Sequence, residues 1–484
     1  MRYTEIAIAK PFEGAPKINL AAIIGATAGK PMMIRIAATG ARPMSFDALG
    51  LPEGLSLSGA VISGTTDAVG EHELTLRASN AEGECEARVT LRIGERCLLL
   101  TPLMGFTSWN AFGHYVTQEK IEHTAERMAE LGLGEYGYCY VNTDSGWQGE
   151  YGGKYDAIMP NASFPDMKGM CDKIHSLGFH AGIYANPMLH AYGWPLGFKP
   201  LPPGCTQGEP DIRWNDEKGG IGLIRKEKNN ALQWAEWGFD YLKYDWNPSD
   251  PYNAEMMRRE LIATDRDFGF CISLKALPEY HSYWEKYCTS YRCNPDSIRT
   301  WSSLMGIYNS YFKFMDYVNC GHYFDLDMLD TGRCEMFEIY NHQDLPDYGF
   351  TEDEQLIAYT IRAFFNSPIQ LSCNLDYVSE FELSMYCNDE IIAINQDCGF
   401  HTARPCMIIE KDQAKIHAFK KKLADGSTAY AIFNLGDTTE EVQLYLDELS
   451  SVRDVWAKRD LVPTSTISLK MPKHTVKVYK TTAK

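Results

Sequence analysis

The chain has 484 residues, 45% of them hydrophobic and 23% charged, and carries a formal net charge of −18. That length is more than one hydrophobic core serves, so several domains are expected. The acid excess weighs against a nucleic-acid backbone or an anionic membrane as partner, and no run approaches the roughly 20 apolar residues that span a bilayer. Fourteen cysteines lie between Cys85 and Cys406 with no CxxC pair and no zinc-type spacing. They read as buried free thiols, which favours a reducing compartment. Residues Met1–Lys10 lack the apolar centre of a signal peptide, so a cytoplasmic location is expected. Oligomeric state is not legible, because exposed patches cannot be seen in a sequence.

Residues 1–97 carry short alternating segments: Pro31–Ala37, Glu73–Arg77 and Cys85–Ile93. Turn residues separate them at the spacing of a β-sandwich. No site chemistry is visible there, so the region reads as a spacer or docking module. Residues 98–398 alternate strand-like and helix-like segments. The strands are Met104–Trp109, Tyr138–Asp144, His180–Asn186, Tyr241–Asn247, Phe270–Leu274, Ser290–Cys293, Gly321–Asp327 and Ile369–Cys373. Thr117 is placed to cap a helix with Ile121, Ala125, Met128 and Leu131 on one face. Eight strands with helices between them over about 300 residues fit a (β/α)8 TIM barrel. An open doubly wound sheet is the alternative, although neither standard Gly-rich phosphate loop is present. The insertion Tyr192–Lys228, rich in Gly, Pro and Trp, is expected to shape the barrel mouth. Residues 399–484 return to alternation around Asp425-Gly426, a hairpin turn signal. They predict a C-terminal antiparallel β-domain that buttresses the barrel.

Catalytic groups of such a barrel sit at the C-terminal ends of its strands. Asp144, Asp245, Asp296, Asp325 and Asp327 are the carboxylates expected there. Asp245 ends the run Tyr241-Leu-Lys-Tyr-Asp245, and Lys243 shares its side of the strand because side chains repeat every second residue. A cation beside a carboxylate keeps it ionised, and an ionised, positioned carboxylate is a nucleophile. A structural ion pair is the competing reading. Two carboxylates suffice to hydrolyse a glycosidic bond, one attacking the sugar carbon and one protonating the leaving oxygen. Double displacement needs them about 5–5.5 Å apart. A metal site is the rival use of clustered Asp. Asp144, Asp245 and Asp296 have no His near them in sequence, whereas His322 lies close to Asp325. A lone strand-end Asp can also be no more than a helix cap.

Several ordered motifs resemble a known family. Gly50-Leu-Pro-Glu-Gly-Leu-Ser56 and Val61-Ile-Ser-Gly-Thr-Thr66 resemble an immunoglobulin-like domain often fused to bacterial carbohydrate enzymes. Thr101-Pro-Leu-Met-Gly-Phe-Thr-Ser-Trp-Asn-Ala-Phe112 resembles the opening of glycoside hydrolase family 27, the melibiase family. Val141–Trp147, Gly182-Ile-Tyr184, Trp237–Asp245, Arg292-Cys-Asn-Pro-Asp296, Asp325-Leu-Asp-Met-Leu329 and Ser367–Leu371 resemble its later motifs in order. The resemblance implies a retaining exo-glycosidase without cofactor or metal, acting on terminal α-galactosyl-type residues of an oligosaccharide or glycoside. It implies Asp245 as nucleophile and Asp296 as acid/base, with Arg292 holding Asp296 and touching the sugar. Lys243 would touch a hydroxyl and help keep Asp245 charged. Trp109 would stack under the ring, Asp144 would bind O4 or O6, Tyr184 would line the pocket, and Asp327 would meet the ring near the nucleophile.

The sugar-gripping set departs from the family pattern. Ser145 follows Asp144 where two Asp are usual. Ser273-Leu-Lys275 stands where a Cys-Glu pair is common. Phe106 replaces a Trp and Asn374 an Asp. A pocket that loses acids and gains Lys275 suggests an anionic sugar, unless Lys275 pairs with Glu279 or Glu285. An N-acetyl-α-galactosaminide, a β-L-arabinopyranoside, a catalytically silent carbohydrate-binding barrel and a metal-dependent hydrolase remain the other readings.

Overall fold

A computed structural model describes residues 2–189, 191, 206–211, 221–247, 249–273, 276–292 and 294–484, with backbone alone at 206–211 and 221–223. Its centre is an eight-stranded parallel sheet. We number its strands β1 (Met104–Thr107), β2 (Tyr140–Thr143), β3 (His180–Ala185), β4 (Tyr241–Asp245), β5 (Gly269–Ser273), β6 (Ser290–Arg292), β7 (Tyr323–Asp325) and β8 (Ile369–Leu371). Every strand expected from the sequence is present, most of them shorter than expected and β5 beginning one residue earlier. The order is β7-β6-β5-β4-β3-β2-β1-β8, so β8 returns beside β1. Beyond the end of β7, Leu329 bridges Leu371 in parallel sense, and its N–H donates to the Gln370 carbonyl at 2.8 Å. These strands are buried almost throughout, as expected where helices cover a parallel sheet.

Local chemistry delivers each strand. Thr117 caps the helix Gln118–Glu130 by accepting from Lys120 N at 3.2 Å. Ile121, Ala125 and Met128 are buried as the periodicity implied, with Thr124 beside them, and Leu131 falls at the half-buried C-cap. The helix Glu227–Trp237 stops at Gly238, which takes the left-handed conformation with φ +103°. The N–H groups of Gly238 and Phe239 both return to the Trp234 carbonyl at 3.0 Å. This closure turns the chain into β4.

The N-terminal sandwich has a four-stranded sheet ordered Ile23–Ala26, Gly83–Ile93, Gly70–Asn80, Ser45–Leu49 and a three-stranded one ordered Met32–Arg35, Val61–Gly64, Leu55–Ser58. Its core is Ile36, Ile62, Leu74, Leu76, Val89 and Leu91 with their neighbours. It docks on the face that holds the beginnings of the strands. Arg35 pairs with Glu135 at 2.7 Å, and Lys30 donates to the Ile262, Thr264 and Arg266 carbonyls at 2.8, 2.7 and 3.1 Å. A crevice of about 570 Å³ lies along this junction.

Residues 404–483 form a six-stranded antiparallel sheet, with Asp425-Gly426 inside the connection between Ala414–Lys422 and Thr428–Asn434. It packs on the helices Trp301–Phe314 and Glu352–Phe364. The Tyr308 hydroxyl meets His417 Nδ1 at 2.6 Å, and Tyr311 stacks on Phe365 with centroids 3.5 Å apart. The first residues of the chain leave the sandwich and strap this seam. Thr4 Oγ1 donates to the Val476 carbonyl at 2.6 Å, and Ala7 N donates to the Trp456 carbonyl at 2.9 Å. Within the Tyr192–Lys228 insertion, Thr206–Asp211 and Ile221–Arg225 pair antiparallel, and the helix Glu227–Trp237 begins at its end. The remainder of its proposed role lies outside the described residues. No helix among the described residues is long and apolar enough to cross a membrane.

Gly182 of β3 is a position where the parallel sheet has no room for a side chain. An added Cβ would collide with Asn142 Oδ1 and come within 2.7 Å of its Cγ and 3.1 Å of Tyr241 Cδ1. Gly182→Ala should therefore destabilise the protein by about 1–3 kcal/mol, the cost of overpacking a filled core. Urea unfolding monitored by tryptophan fluorescence measures it, and an unchanged midpoint would show that this face of the barrel yields.

Candidate active site

The carboxylates converge at the C-terminal ends of the strands. Asp245 closes β4, and its Oδ2 accepts the Tyr184 hydroxyl from β3 at 3.0 Å. Its Oδ1 is enclosed by protein and has no hydrogen-bond partner among the described residues. Lys243 lies two residues back. Its ammonium pairs with Asp144 Oδ2 at 2.8 Å, and that oxygen also takes the Thr107 hydroxyl at 3.3 Å. Asp144 Oδ1 accepts the backbone N–H of Ser145 at 2.7 Å. Arg292 ends β6 with a buried guanidinium whose Nη1 donates to Asp327 Oδ1 at 2.7 Å. Its Nη2 donates to Asp296 Oδ1. Asp296 itself is open, with 67% of its side chain exposed.

Burial governs the titration of this cluster. It pushes Asp245 up to about 6 from the usual aspartate value. Lys243 and Arg292 pull it down, while Asp296 and Asp144 push it further up. Lys243 thus favours the charged form of Asp245, as expected, but burial outweighs it. The lysine's ion pair is spent on Asp144, and burial exceeds what remains of its field. Asp327 moves the other way. Burial alone would raise it, but Arg292, Lys243 and the Ser297 N–H hold it below the usual range. Asp325 rises, mainly through burial and then through Asp327.

A further set of buried groups supports these. Asp327 adopts φ +68°, a conformation costly for an L-residue. The buried Arg362 side chain secures that bend. Its Nε donates to the Asp327 carbonyl at 3.1 Å, and its Nη2 donates to the Leu326 and Met328 carbonyls at 3.3 and 2.6 Å. Ser297 N donates to Asp327 Oδ2 at 2.7 Å, and the Ser297 hydroxyl donates to Asp330 Oδ2. Asp330 Oδ1 accepts the side-chain amide of Asn110. Burial lifts Asp330 to about 7, while Ser297 and Arg362 draw it down. Sequence reasoning missed Asn110, Ser297, Asp330 and Arg362. The one available signal was the density of acids in Asp325-Leu-Asp-Met-Leu-Asp330, a run otherwise apolar.

Trp109 is half-buried and tilts against Tyr340 with centroids 6.5 Å apart, and the Tyr340 hydroxyl meets His114 Nδ1 at 3.0 Å. Ser145 is buried beside Asp144. Lys275 lies outside the described residues, and with it the basis for an anionic substrate. Asn374 Nδ2 donates to Glu335 Oε1 at 2.8 Å. His322 is near Asp325 only along the chain. It stands before the start of β7, its Nδ1 3.1 Å from the Cys288 carbonyl and its ring stacked on Tyr291. Among the described residues no three His, Cys, Asp or Glu side chains are grouped to hold a metal ion.

Comparison with known proteins agrees with this architecture. Residues 217–397 match the model of the α-galactosidase A family, residues 413–481 that of the α-galactosidase C-terminal β-sandwich domain, and residues 15–94 an Ig domain model. An α-galactosidase of Cyamopsis tetragonoloba is 25% identical over 417 residues, covering 83% of this chain and 90% of that one. A crystal structure from Bacteroides fragilis, assigned as an α-galactosidase, superposes with a TM-score of 0.83 at 27% identity, covering 98% of this chain and 99% of that one. A family 27 β-L-arabinopyranosidase of Geobacillus stearothermophilus shares the fold, with a TM-score of 0.66 at 22% identity over 79% of this chain and 97% of that one. The chain is thus similar to the melibiase family, glycoside hydrolase family 27, across its catalytic and C-terminal regions, with an immunoglobulin-like domain ahead of them.

Proposed function

We propose that the protein is a retaining exo-glycosidase that removes terminal α-galactosyl residues from oligosaccharides or simpler glycosides. One observation carries the mechanism. At the end of β4, Asp245 keeps one oxygen on Tyr184 and leaves the other without a hydrogen-bond partner among the described residues, while Arg292 holds the exposed Asp296 nearby. In this reading the Asp245 carboxylate attacks the anomeric carbon as Asp296 gives its proton to the departing oxygen. Asp296 then takes a proton from water, which attacks the same carbon and releases Asp245. Charge develops on the sugar ring as a cation, and the acid-rich mouth stabilises it. Trp109 packs under the ring, Asp144 and Lys243 take hydroxyls, Tyr184 lines the pocket, and Arg292 and Asp327 meet the sugar from β6 and the turn after β7. We also read the eight strands as a closed (β/α)8 barrel spanning 98–398, and the location as cytoplasmic.

The relatives named as α-galactosidases support the galactose assignment. Ser145 shortens the grip on one hydroxyl, so the same mechanism on a related pyranoside is the second reading. An aryl-glycoside panel with α-galactoside, N-acetyl-α-galactosaminide and β-L-arabinopyranoside decides between them, and a preference for either of the last two would replace the galactose assignment.

Asp245→Ala should lower kcat by about 10⁴-fold or more with the fold retained. Asp296→Ala should lose about 10²–10⁴-fold on glycosides with poor leaving groups and far less on nitrophenyl glycosides, which need little protonation. Equal losses on both substrates would reject the acid/base role. The attacking form of Asp245 is ionised, so kcat/KM should rise as pH climbs through about 6. Lys243 lowers that value, so Lys243→Met should move the acidic limb to higher pH. A limb that stays in place would exclude Asp245 as the titrating group. The same variant leaves Asp144 buried without its cation and should destabilise the protein by about 3–5 kcal/mol in urea.

A further inference from the structure

Asp330 touches neither of the two carboxylates assigned to the chemistry, yet it lies between the segment that carries Asp296 and the helix that carries Trp109. It is buried, as are both of its partners, Ser297 and Asn110. Its Oδ2 accepts the hydroxyl of Ser297, the residue directly after Asp296. Its Oδ1 accepts the side-chain amide of Asn110, the residue directly after Trp109. Each oxygen therefore serves a different segment.

The two segments have little else in common. Asp296 and its neighbour Pro295 are exposed and outside regular structure. The turn is tied on its inner side by Ser297, whose N–H reaches Asp327 at 2.7 Å and whose hydroxyl reaches Asp330. Asn110 belongs to the short helix Ser108–Phe112 after β1, and its backbone N–H is held separately by Ser372 Oγ at 3.0 Å. Asp330 is held in turn by the chain that Arg362 grips through the Leu326, Asp327 and Met328 carbonyls. A rigid backbone thus presents one carboxyl group to both sides of the mouth, and small displacements of a proton donor are expensive in rate.

We propose that Asp330 is a positioning residue that sets the distance of the Asp296 turn from the Trp109 helix through Ser297 and Asn110. The inference rests on the reading of Asp296 as the acid/base. Loss of the carboxyl frees the Ser297 hydroxyl and lets the Asp296 turn drift while Asp245 keeps its Tyr184 contact. Proton donation then suffers more than nucleophilic attack.

The test compares two α-galactosides on the full-length protein, one with a nitrophenol leaving group and one with an alkyl alcohol leaving group, using Asp330→Ala, Asp330→Asn, Ser297→Ala and Asp296→Ala. Asp330→Ala should lose about 10-fold or more in kcat on the alkyl glycoside beyond its loss on the nitrophenyl glycoside, a fraction of what general acid catalysis supplies. Asp330→Asn, which still bridges Ser297 and Asn110, should recover most of that difference. Ser297→Ala removes a single hydroxyl, and it decides the matter if Asp330→Ala does not fold. It should show the same leaving-group dependence with a smaller amplitude.

Equal losses on the two glycosides in Asp330→Ala, or in Ser297→Ala where that variant decides, would overturn the proposal and leave Asp330 a packing group. Asp296→Ala separates the two levels. If it shows leaving-group dependence and the Asp330 and Ser297 variants do not, the positioning role alone is wrong. If Asp296→Ala shows none, the acid/base assignment fails and the inference falls with it.

Discussion

Buried charge balance governs this barrel mouth. Among the described residues, Asp144, Asp325, Asp327 and Asp330 are buried at the strand ends and Asp245 is enclosed with them, against the cations Lys243, Arg292 and Arg362. Five carboxyl groups thus face three cations in a medium that solvates charge poorly. The excess is distributed unevenly. Asp327 is drawn down by Arg292 and Lys243, whereas Asp245, Asp325 and Asp330 rise. A substrate ring that becomes cationic in the transition state meets an environment already short of positive charge. Ground-state imbalance and transition-state complementarity are then one property of the same set of side chains.

The fold was largely legible, because each strand carries its own punctuation. Gly238 after Trp237 ends a helix and starts β4, Thr117 starts another helix, and eight apolar runs lie between such signals. The converging acids were legible through their position at strand ends. The partner of Lys243 was not. Period-two geometry puts it beside Asp245, but the choice of Asp144 depends on how β2 and β3 register against β4, which is a tertiary fact. Arg362 was equally hidden, since it lies within a helix and acts through backbone carbonyls that no motif records. His322, close to Asp325 along the chain, stands before the start of β7 and turns to the Cys288 carbonyl instead.

Support for the site comes from outside the strands as well. The bend at Asp327 exists because the helix Glu352–Phe364 brings Arg362 under it. That helix is in turn fixed at its start by a capping box between Thr351 and Glu354 and by His474 of the C-terminal sheet, 2.6 Å from Glu354. The N-terminal strap joins the same seam, with Tyr3 and Thr4 donating to Asp353 at 2.7 and 3.0 Å. Residues far apart in the chain therefore converge on one helix, whose task at the mouth is to hold three carbonyls.

The immunoglobulin-like domain sits on the opposite face, with Arg35, Lys30 and Thr27 gripping the loops that lead into the strands. It is thus separated from the carboxylate cluster by the length of the parallel strands. A glycan held there and a glycosyl unit under attack would have to belong to distant parts of one polymer, or to different molecules. Whatever affinity the domain has can raise the local supply of chain ends, but it cannot read which end is cleaved. Selectivity is left to the loops at the strand ends where the carboxylates converge.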